Sequence, residues 1–564
     1  AGRIVLVVAL AILCPGASGG VLGALGALGK LGVMGSWGLS GVLGLESTFD
    51  SDPYKHDHEH EQDQDHLTKP YSPLPSERNG CPLRVCGPKG AKDEHVCREY
   101  VELYEFITRE GFFTSDLVIG EFEGLVAGTV RRGLMTLTDK KKGDLLISAP
   151  VSAMMCKLSA MESRLAVLFK HIEKSASPRL MMVLHVLYEN FEKEKREGVP
   201  SRFRSYLATI PTHNPTLLTF TQDEIEQLQC PSDCPALGDV LGDRKAYLRE
   251  ISIVSKVLGP VLAKSGLYEQ DSLSKANLSW AYNVVNSRSF SVRSYDALGD
   301  TRFIMVPFAD LLNHHNSNLA SLKGPNYTFN LTAKALQVFA DRDYKAGDEV
   351  LISYGIRSNP KLLLGYGFAL PDNEFESIGL QIELNEEDRK GKLLEFLKRS
   401  PNATFARITL DATLNHDFLT VLRLKHGATD IDAVDVDPWV EFRLRLDILR
   451  TIERLLNRYP TSLAYDLNLL RQWSTLPSTP TRTAGSLSAV IFRVEIKRIL
   501  HLSMLQTLHA IRHTYSKAVA AGNLQAKSDP SHWFHWKNDI ALWDSEFRQW
   551  QSDLRGIWTR PKRC

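Results

Sequence analysis

Apolar residues recur at helical spacing in several separate parts of the chain. The earliest series begins near Glu99, stops near Gly111 and places four side chains on one face of a predicted helix: Tyr100, Leu103, Tyr104 and Ile107. Spacings of three and four residues bring side chains onto one face of a 3.6-residue helix. Short apolar runs bounded by turn residues predict strands at 124–130, 133–137, 144–147, 303–306 and 349–353.

The middle and the C-terminal part of the chain show mainly helical periodicity. Between 151 and 279, one apolar stripe that ends at Gly198 and Pro200 contains Leu180, Val183, Leu184, Leu187 and Phe191. Beyond Asp372 helices dominate, and Asp437 is a predicted N-cap with Pro438 in the first turn. The stripe that follows contains Phe442, Leu446, Leu449, Ile452 and Leu456. A strand-rich block interrupted by helices and followed by a helical block predicts an α+β protein of two domains.

The last segment, residues 526–564, predicts a separate Trp-rich helix. Its apolar residues alternate spacings of three and four over Trp533, Trp536, Ile540, Trp543, Phe547, Trp550 and Leu554. Such a seam is typical of a terminal helix that docks on its own domain. A helix that binds a partner protein is the alternative.

The N-terminal 98 residues have no pattern of a packed domain. Residues 1–19 combine Arg3, an apolar run and small residues, as in a secretory signal peptide. We therefore expect entry into the secretory pathway or, if the leader is bipartite, a plastid; without a working leader the compartment is the cytoplasm. Residues 20–98 are predicted to be a low-complexity and disordered linker, and a membrane contact is expected only through the N-terminal leader. Gly occupies every third position of residues 20–44, and for this segment a membrane anchor is the alternative to a low-complexity extension. The His residues clustered at 56–66 could bind a metal ion or be part of a solvated, disordered linker.

Composition excludes several classes of function. The chain has 67 Lys and Arg against 66 Asp and Glu, a net charge of +1, so no general affinity for nucleic acid is expected. Its eight Cys do not fall at zinc-ribbon spacing, and we expect no metal site. Cys81 with Cys86, and Cys230 with Cys234, could form short disulfides in an oxidising compartment. Four sequons, at Asn277, Asn326, Asn330 and Asn402, are close to the number expected by chance and decide nothing.

Four short stretches carry the candidate chemistry, although each is weak by itself. In chain order they are Arg131-Arg132-Gly133-Leu134, Asn286-Ser287-Arg288-Ser289-Phe290, residues 306–314 ending in Asn313-His314, and residues 347–355 ending in Tyr354-Gly355 with Tyr366-Gly367-Phe368 beyond. In this order they resemble the SET domain, in the branch of the RuBisCO large-subunit methyltransferase and the actin-histidine methyltransferase. The resemblance covers roughly 122–368, with the insertion near 206–211, and extends to stretches at 459–462 and 493–497.

The resemblance identifies residues 99–371 as a SET domain with a helical insertion at about 151–279, and residues 372–525 as a helical substrate-binding domain. It implies S-adenosyl-L-methionine as cofactor. The backbone of Arg132, Gly133 and Leu134 would line the cofactor pocket, where Gly permits a close approach. Arg288 would contact the cofactor's carboxylate, for which a guanidinium fork is suited.

The same resemblance assigns the remaining site residues. Asn313 and His314 would hold the adenosine part, and Tyr366 and Phe368 would pack near the methyl-transfer channel and the adenine. Tyr354 matches the catalytic tyrosine. The SET fold threads its C-terminal strand through a loop, which implies that the third and fourth stretches lie side by side.

The implied activity is N-methylation of a protein, with a lysine side chain as the expected target. Arg288 and Asp310 are expected to contact a protein substrate held by the SET cleft and the helical domain, and we expect a monomer. Histidine methylation is an alternative because the branch contains both activities. A catalytically inactive SET module that binds a protein is another. At position 292 the sequence departs from the family, because Val292 replaces the basic residue that the family has there and Arg293 follows it.

Overall fold

The computed structural model describes most of the chain beyond residue 83. The described ranges are 84–87, 97–123, 130–172, 176–230, 236–292, 303–315, 326–409, 414–428, 437–473 and 483–520, with residues 545, 548, 549 and 552. The predicted leader, the Gly-rich segment, the His cluster and the Trp seam lie outside these residues, as does most of the strand predicted at 124–130. Within them, no helix is both long and apolar enough to cross a membrane.

The strands form two main sheets and two small ones. Sheet one has the order β1-β3-β4-β11-β8, sheet two the order β2-β5-β10-β9, and β6 with β7 and β12 with β13 form two-stranded pairs. All these pairings are antiparallel except β11 with β8. The strands are β1 (Arg84–Cys86), β2 (Phe113–Thr114), β3 (Leu117–Glu123), β4 (Val130–Thr136), β5 (Leu145–Pro150), β6 (Ser289–Phe290), β7 (Ile304–Met305), β8 (Asn313–His314), β9 (Tyr327–Asn330), β10 (Ala335–Phe339), β11 (Glu349–Ile352), β12 (Ile378–Gln381) and β13 (Phe405–Ile408).

Helices fill the predicted insertion and the C-terminal part. They are α1 (Arg98–Arg109), α2 (Lys157–Met161), α3 (Leu165–Ile172), α4 (Pro178–Leu187), α5 (Lys193–Glu197), α6 (Arg204–Thr209), α7 (Gln222–Gln227), α8 (Gly238–Ile253), α9 (Gly259–Lys264), α10 (Lys275–Arg288), α11 (Asn359–Tyr366), α12 (Gly391–Arg399), α13 (His416–Lys425), α14 (Pro438–Leu456), α15 (Leu463–Trp473) and α16 (Ala484–Ala520). The mixed sheets with a helical C-terminal region confirm the α+β class.

Local chemistry explains where these helices begin and end. The α4 helix has Ser177 as N-cap, whose side chain accepts from the Leu180 N–H, and Pro178 at its first position. It continues through a π-helical turn at Tyr188–Glu192 into α5, which ends at Gly198 in the left-handed conformation. The predicted cap at Asp437 is confirmed, because its side chain accepts from the Trp439 N–H.

Regular secondary structure occurs earlier in the chain than the sequence predicts. Strand β1 lies inside the stretch 20–98 that we expected to be linker, and it pairs with β3. A disulfide joins Cys86 to Cys97, so the short Cys81–Cys86 bridge considered above is wrong. Nearness in sequence suggested that Cys81 and Cys86 form the disulfide. The fold determines which cysteines come close enough to bond, and it brings Cys86 to Cys97. The Tyr104 hydroxyl fixes the junction, donating to the Cys86 carbonyl and accepting from the Ile119 N–H.

A hydrogen bond joins α16 of the C-terminal part to α7, and buried ion pairs hold α16 to α15. In α16, Arg493 pairs with Asp466 at 2.9 Å and donates to the Gln227 carbonyl at 2.7 Å. Lys497 contacts the same Asp466 and donates to the Thr461 carbonyl at 2.7 Å. One apolar core spans both parts. The stretches at 459–462 and 493–497, noted above for their resemblance to the helical domain, therefore lie together.

Candidate active site

Strand β11 brings three of the four motif stretches together. It pairs in parallel with β8, aligning Leu351 with Asn313 and Ile352 with His314. On its other side it pairs antiparallel with β4, aligning Val350 with Leu134. Leu134 is fully buried between β11 and β3, where it also aligns with Ile119. The side-by-side placement implied by the resemblance is therefore present.

Gly133 stands in a cradle that leaves no room for a side chain. A Cβ added at Gly133 would lie 2.5 Å from Glu349 Oε1 and 2.9 Å from Asn313 Nδ2. The Asn313 amide donates to the Arg132 carbonyl and to Glu349 Oε1, both at 2.8 Å. Glu349 is also paired with Arg131. The amide and carboxylate thus lock β4 to β8 and β11, and they occupy the space that a side chain at position 133 would need.

Arg132 links this cradle to the helical insertion. Its Nη1 donates to the carbonyl of Thr209, at the end of α6, at 2.7 Å. The guanidinium also lies 6.0 Å from the centre of the Tyr100 ring on α1. A cation above an aromatic face is attracted by the ring quadrupole. The insertion and the first helix therefore hold the start of β4 in place.

Arg288 and Asp310 form a buried ion pair. Arg288 is the last residue of α10, and its Nη1 lies 2.9 Å from Asp310 Oδ2. The Tyr206 hydroxyl donates to the same oxygen at 2.7 Å. Burial is the largest single influence on the pKa of Arg288 and lowers it, but the charge of Asp310, Tyr206, the hydrogen bond to Asp310 and Tyr354 together raise this pKa above its usual value. Asp310 Oδ1 is buried and accepts no hydrogen bond from the described residues.

A strained turn places Asp310 at this position. Phe308 has φ of +68° and ψ of −49°, and the Ala309 N–H donates to the Pro307 carbonyl across it. This is a γ-turn, which costs roughly 1–3 kcal/mol for a residue other than glycine. The Phe308 ring is fully buried against Tyr104, so packing of the core holds the strained backbone.

Four aromatic rings line the other side of the site. The Tyr354 ring stacks on His314 with centroids 5.0 Å apart and on Tyr366 at 4.6 Å. Phe368 lies 6.2 Å from His314 and 6.1 Å from Tyr366. These rings provide an apolar wall in which a charged amine would be poorly solvated.

The hydroxyl and backbone of Tyr354 are fixed by the neighbouring strand. The hydroxyl donates to the Leu312 carbonyl at 2.8 Å, and the backbone N–H donates to His314 Nδ1 at 3.0 Å. Burial raises the pKa of this hydroxyl well above its usual value, the nearby Tyr366 adds to the effect, and Arg288 opposes it. Tyr354 is therefore neutral and keeps its proton at physiological pH.

Gly367 fixes the positions of Tyr366 and Phe368. It ends α11 with φ of +84°, and a Cβ there would lie 1.9 Å from the Pro215 carbonyl oxygen. The far end of the segment is tied to Asn359, whose amide donates to the Leu370 carbonyl at 2.9 Å. The return of the chain from α11 to Phe368 therefore requires glycine at 367.

Two contributors to the site had no assigned role in the sequence. From the sequence, Glu349 was predicted only to be the first residue of a strand, and Tyr206 only to lie in the insertion. A carboxylate that opens a buried apolar strand is a signal that could have identified Glu349. Nothing local to Tyr206 indicates that it reaches Asp310, 104 residues away.

Residues 131–355 match the family model described as the SET domain. Over this range the chain is therefore similar to SET domains. It is 24% identical to the actin-histidine N-methyltransferase of Gallus gallus, over 80% of this chain and 75% of that protein. It is 25% identical to the Homo sapiens protein of that name, over 52% of this chain but only 47% of that protein.

Solved structures show the same fold. A structure of the SET domain of LSMT bound to lysine and AdoHcy aligns with a TM-score of 0.56 at 18% identity, covering 78% of this chain and 99% of that one. Another, of Rubisco LSMT bound to AdoMet, aligns with a TM-score of 0.52, covering 76% and 97%. At this identity the likeness establishes the fold, and activity is a separate question.

Proposed function

We propose that this chain is an S-adenosyl-L-methionine-dependent protein N-methyltransferase that methylates a lysine side chain. The observation that carries the proposal is the combination of a Gly133 against which Asn313 and Glu349 pack closely, a buried ion pair at Arg288 and a neutral buried Tyr354 hydroxyl. Relatives with histidine methyltransferase activity and neighbours bound to lysine or AdoMet support the class.

The residues fit the cofactor. The backbone around Gly133 and the Asn313–His314 strand would take the adenosine part, and Arg288 would take the carboxylate. The orphaned acceptor Asp310 Oδ1 is suited to a donor such as the cofactor's ammonium group or the incoming amine. When bound, the cofactor supplies a methyl group on a positively charged sulfur, which is transferred in one displacement.

The chain's own residues then have two tasks. The aromatic wall of Tyr354, Tyr366 and Phe368 disfavours a charged ammonium, so the lysine amine, whose pKa is about 10.4 in water, loses its proton more readily. The Tyr354 hydroxyl, held by Leu312, orients the amine lone pair. Because the main requirement is alignment, no covalent enzyme intermediate is needed.

Histidine methylation is the second candidate, and the relatives that carry that name favour it. An imidazole is neutral for a large fraction of molecules near pH 7, so it needs less help from an apolar wall than lysine does. Lysine, in contrast, needs both desolvation and a nearby positive charge. The apolar stack around Tyr354 answers this greater need, which is why we place lysine first.

An inactive SET module that only binds proteins is the rival from a different class. Such a module has no physical need to bury Arg288 with Asp310 or to orient the Tyr354 hydroxyl. Saturable binding of S-adenosyl-L-methionine therefore argues for the enzyme. We also expect the protein substrate to contact both the SET cleft and the helical domain, and the enzyme to act as a monomer.

The test uses two peptide libraries that differ only in the target residue. One contains a single lysine and no histidine, the other a single histidine and no lysine, and both are incubated with the enzyme and radiolabelled S-adenosyl-L-methionine. We expect label in the lysine library, lost in Tyr354→Phe. Label confined to the histidine library would show that the target of methylation is histidine and not lysine. If neither library is labelled and a whole-cell extract also stays unlabelled, the proposal that the chain is a protein methyltransferase is contradicted.

A further inference from the structure

The described cysteines are mostly oxidised. Cys86 is joined to Cys97, Cys230 is also disulfide-bonded, and Cys156 is the free thiol within the described residues. The Cys86–Cys97 bridge is buried and ties the edge strand β1 to the start of α1. Structural disulfides form and persist in oxidising compartments and are rare in the reducing cytosol. Two of them indicate that the chain folds in an oxidising lumen, where asparagine-linked glycosylation also takes place.

Three of the four sequons are poorly suited to carry a glycan. The Nδ2 atom, which would receive the sugar, donates to the Asp271 carbonyl in Asn277, to the Phe339 carbonyl in Asn326 and to the Gln337 side chain in Asn330. Asn277 lies in the first turn of α10, and Asn330 ends β9. Asn326 Oδ1 is buried. A glycan at these positions would disrupt hydrogen bonds of the folded protein.

Asn402 differs from the other three. It is exposed and lies in the turn between α12 and β13, followed by Ala403 and Thr404. Its backbone carbonyl accepts from the Phe405 N–H at 3.0 Å, which closes the turn. Its side chain makes no hydrogen bond to any part of the chain that the structure describes. An acceptor sequon in an exposed turn leaves the fold undisturbed when a bulky sugar is attached.

We propose that this protein matures in an oxidising lumen and carries an N-linked glycan on Asn402. The Asn402 Nδ2 forms a bond to the anomeric carbon of an oligosaccharide carried on a lipid diphosphate. The bond from that carbon to the phosphate oxygen breaks, the lipid diphosphate leaves, and the amide proton passes to the transferase's base. Each disulfide forms with transfer of two electrons and two protons to a disulfide carrier of the lumen. The inference is independent of the methyltransferase activity.

The experiment expresses the full chain in a eukaryotic cell line and treats the purified protein with peptide-N-glycosidase. We expect a mobility shift on treatment that is absent from Asn402→Gln and unchanged in the matched control Asn277→Gln. A second pair of variants keeps Asn402 in place: Thr404→Ala should lose the glycan and Thr404→Ser should retain it. Thermal melting of the four variants establishes that each is folded.

The oxidation state is read from the same protein. Alkylation of the unfolded chain without reductant should modify Cys156 but leave Cys86, Cys97 and Cys230 unmodified until a reductant is added. An unglycosylated chain, or a glycan that persists in Asn402→Gln, would overturn the assignment of the site. Free thiols at Cys86 and Cys97 in the cell-derived protein would overturn the proposal that the protein matures in an oxidising lumen.

Discussion

Two glycines at the end of α11 should respond in opposite directions to the same substitution. At Gly365, an added Cβ meets nothing within 4 Å, and the backbone is helical. Alanine there should stabilise the protein by about 0.5–1 kcal/mol, because it has the higher helix propensity. At Gly367, φ is +84° and the Cβ would lie 1.9 Å from the backbone oxygen of Pro215.

The cost of Gly367→Ala has two parts. The left-handed conformation disfavours alanine by about 1 kcal/mol, and relieving the overlap with a backbone atom adds about 1–3 kcal/mol, as in other overpacked sites. We therefore expect a loss of about 2–4 kcal/mol. Tyr366 and Phe368 flank the substitution, and the Tyr366 ring stacks on Tyr354 at 4.6 Å. The displacement should reach the site and weaken cofactor binding roughly tenfold, equivalent to about 1.4 kcal/mol.

Thermal melting and calorimetric titration of the two variants beside the parent provide the assay. Gly365→Ala should melt at or above the parent temperature with unchanged cofactor affinity, and Gly367→Ala should melt lower with reduced affinity. Equal melting temperatures for the two variants would refute the reasoning about backbone conformation. Normal affinity in a destabilised Gly367→Ala would refute the link between this turn and the site.

Three further predictions concern buried polar groups. Tyr354→Phe should abolish most methyl transfer in single-turnover assays while cofactor affinity persists, and it should cost about 1–3 kcal/mol because the Leu312 carbonyl loses its donor. Arg288→Ala should destabilise the protein by about 3–5 kcal/mol, because it leaves the buried Asp310 charge unpaired. The double variant Arg288→Met with Asp310→Leu should melt at a temperature closer to that of the parent. Both variants should lose cofactor binding. Burial raises the pKa of Glu376 from 4.5 to about 8. The contribution of this carboxyl to stability is therefore full below pH 4.5 and is lost as pH rises towards 8. Over that range the melting temperature of Glu376→Gln should rise relative to that of the parent.

Each of these three has a clear contrary outcome. Undiminished methyl transfer by Tyr354→Phe would remove that hydroxyl from the mechanism. A double variant as unstable as Arg288→Ala would show that the unpaired charge is not the cause. A constant difference in melting temperature between parent and Glu376→Gln from pH 4.5 to 8 would contradict the raised pKa.

Periodicity alone predicted the elements whose burial is one-sided and regular. The face of α1, the stripe of α4 and the capped start of α14 follow from local rules, because the spacing of apolar residues and the Asp437 cap act within a few residues. The strands at β7 and β11 were also predicted within a residue or two of their observed bounds. Local sequence is thus sufficient to predict these elements.

The rest depends on contacts between distant residues. Strand β1 has three residues and exists because β3 and the Cys86–Cys97 bridge hold it. The β12–β13 pair interrupts a part of the chain predicted to be mainly helical, since two four-residue strands carry too little pattern to identify. The grouping of the site residues came from resemblance, because no spacing rule brings Arg132, Arg288 and Asn313 together.

The most direct test of the central claim is calorimetric titration of the purified chain with S-adenosyl-L-methionine, beside Arg288→Ala and Asn313→Ala. We predict saturable binding with one site in the parent and much weaker binding in both variants, with circular dichroism showing that all three are folded. Absence of binding to the folded parent would contradict the account, and so would equal affinity in all three proteins.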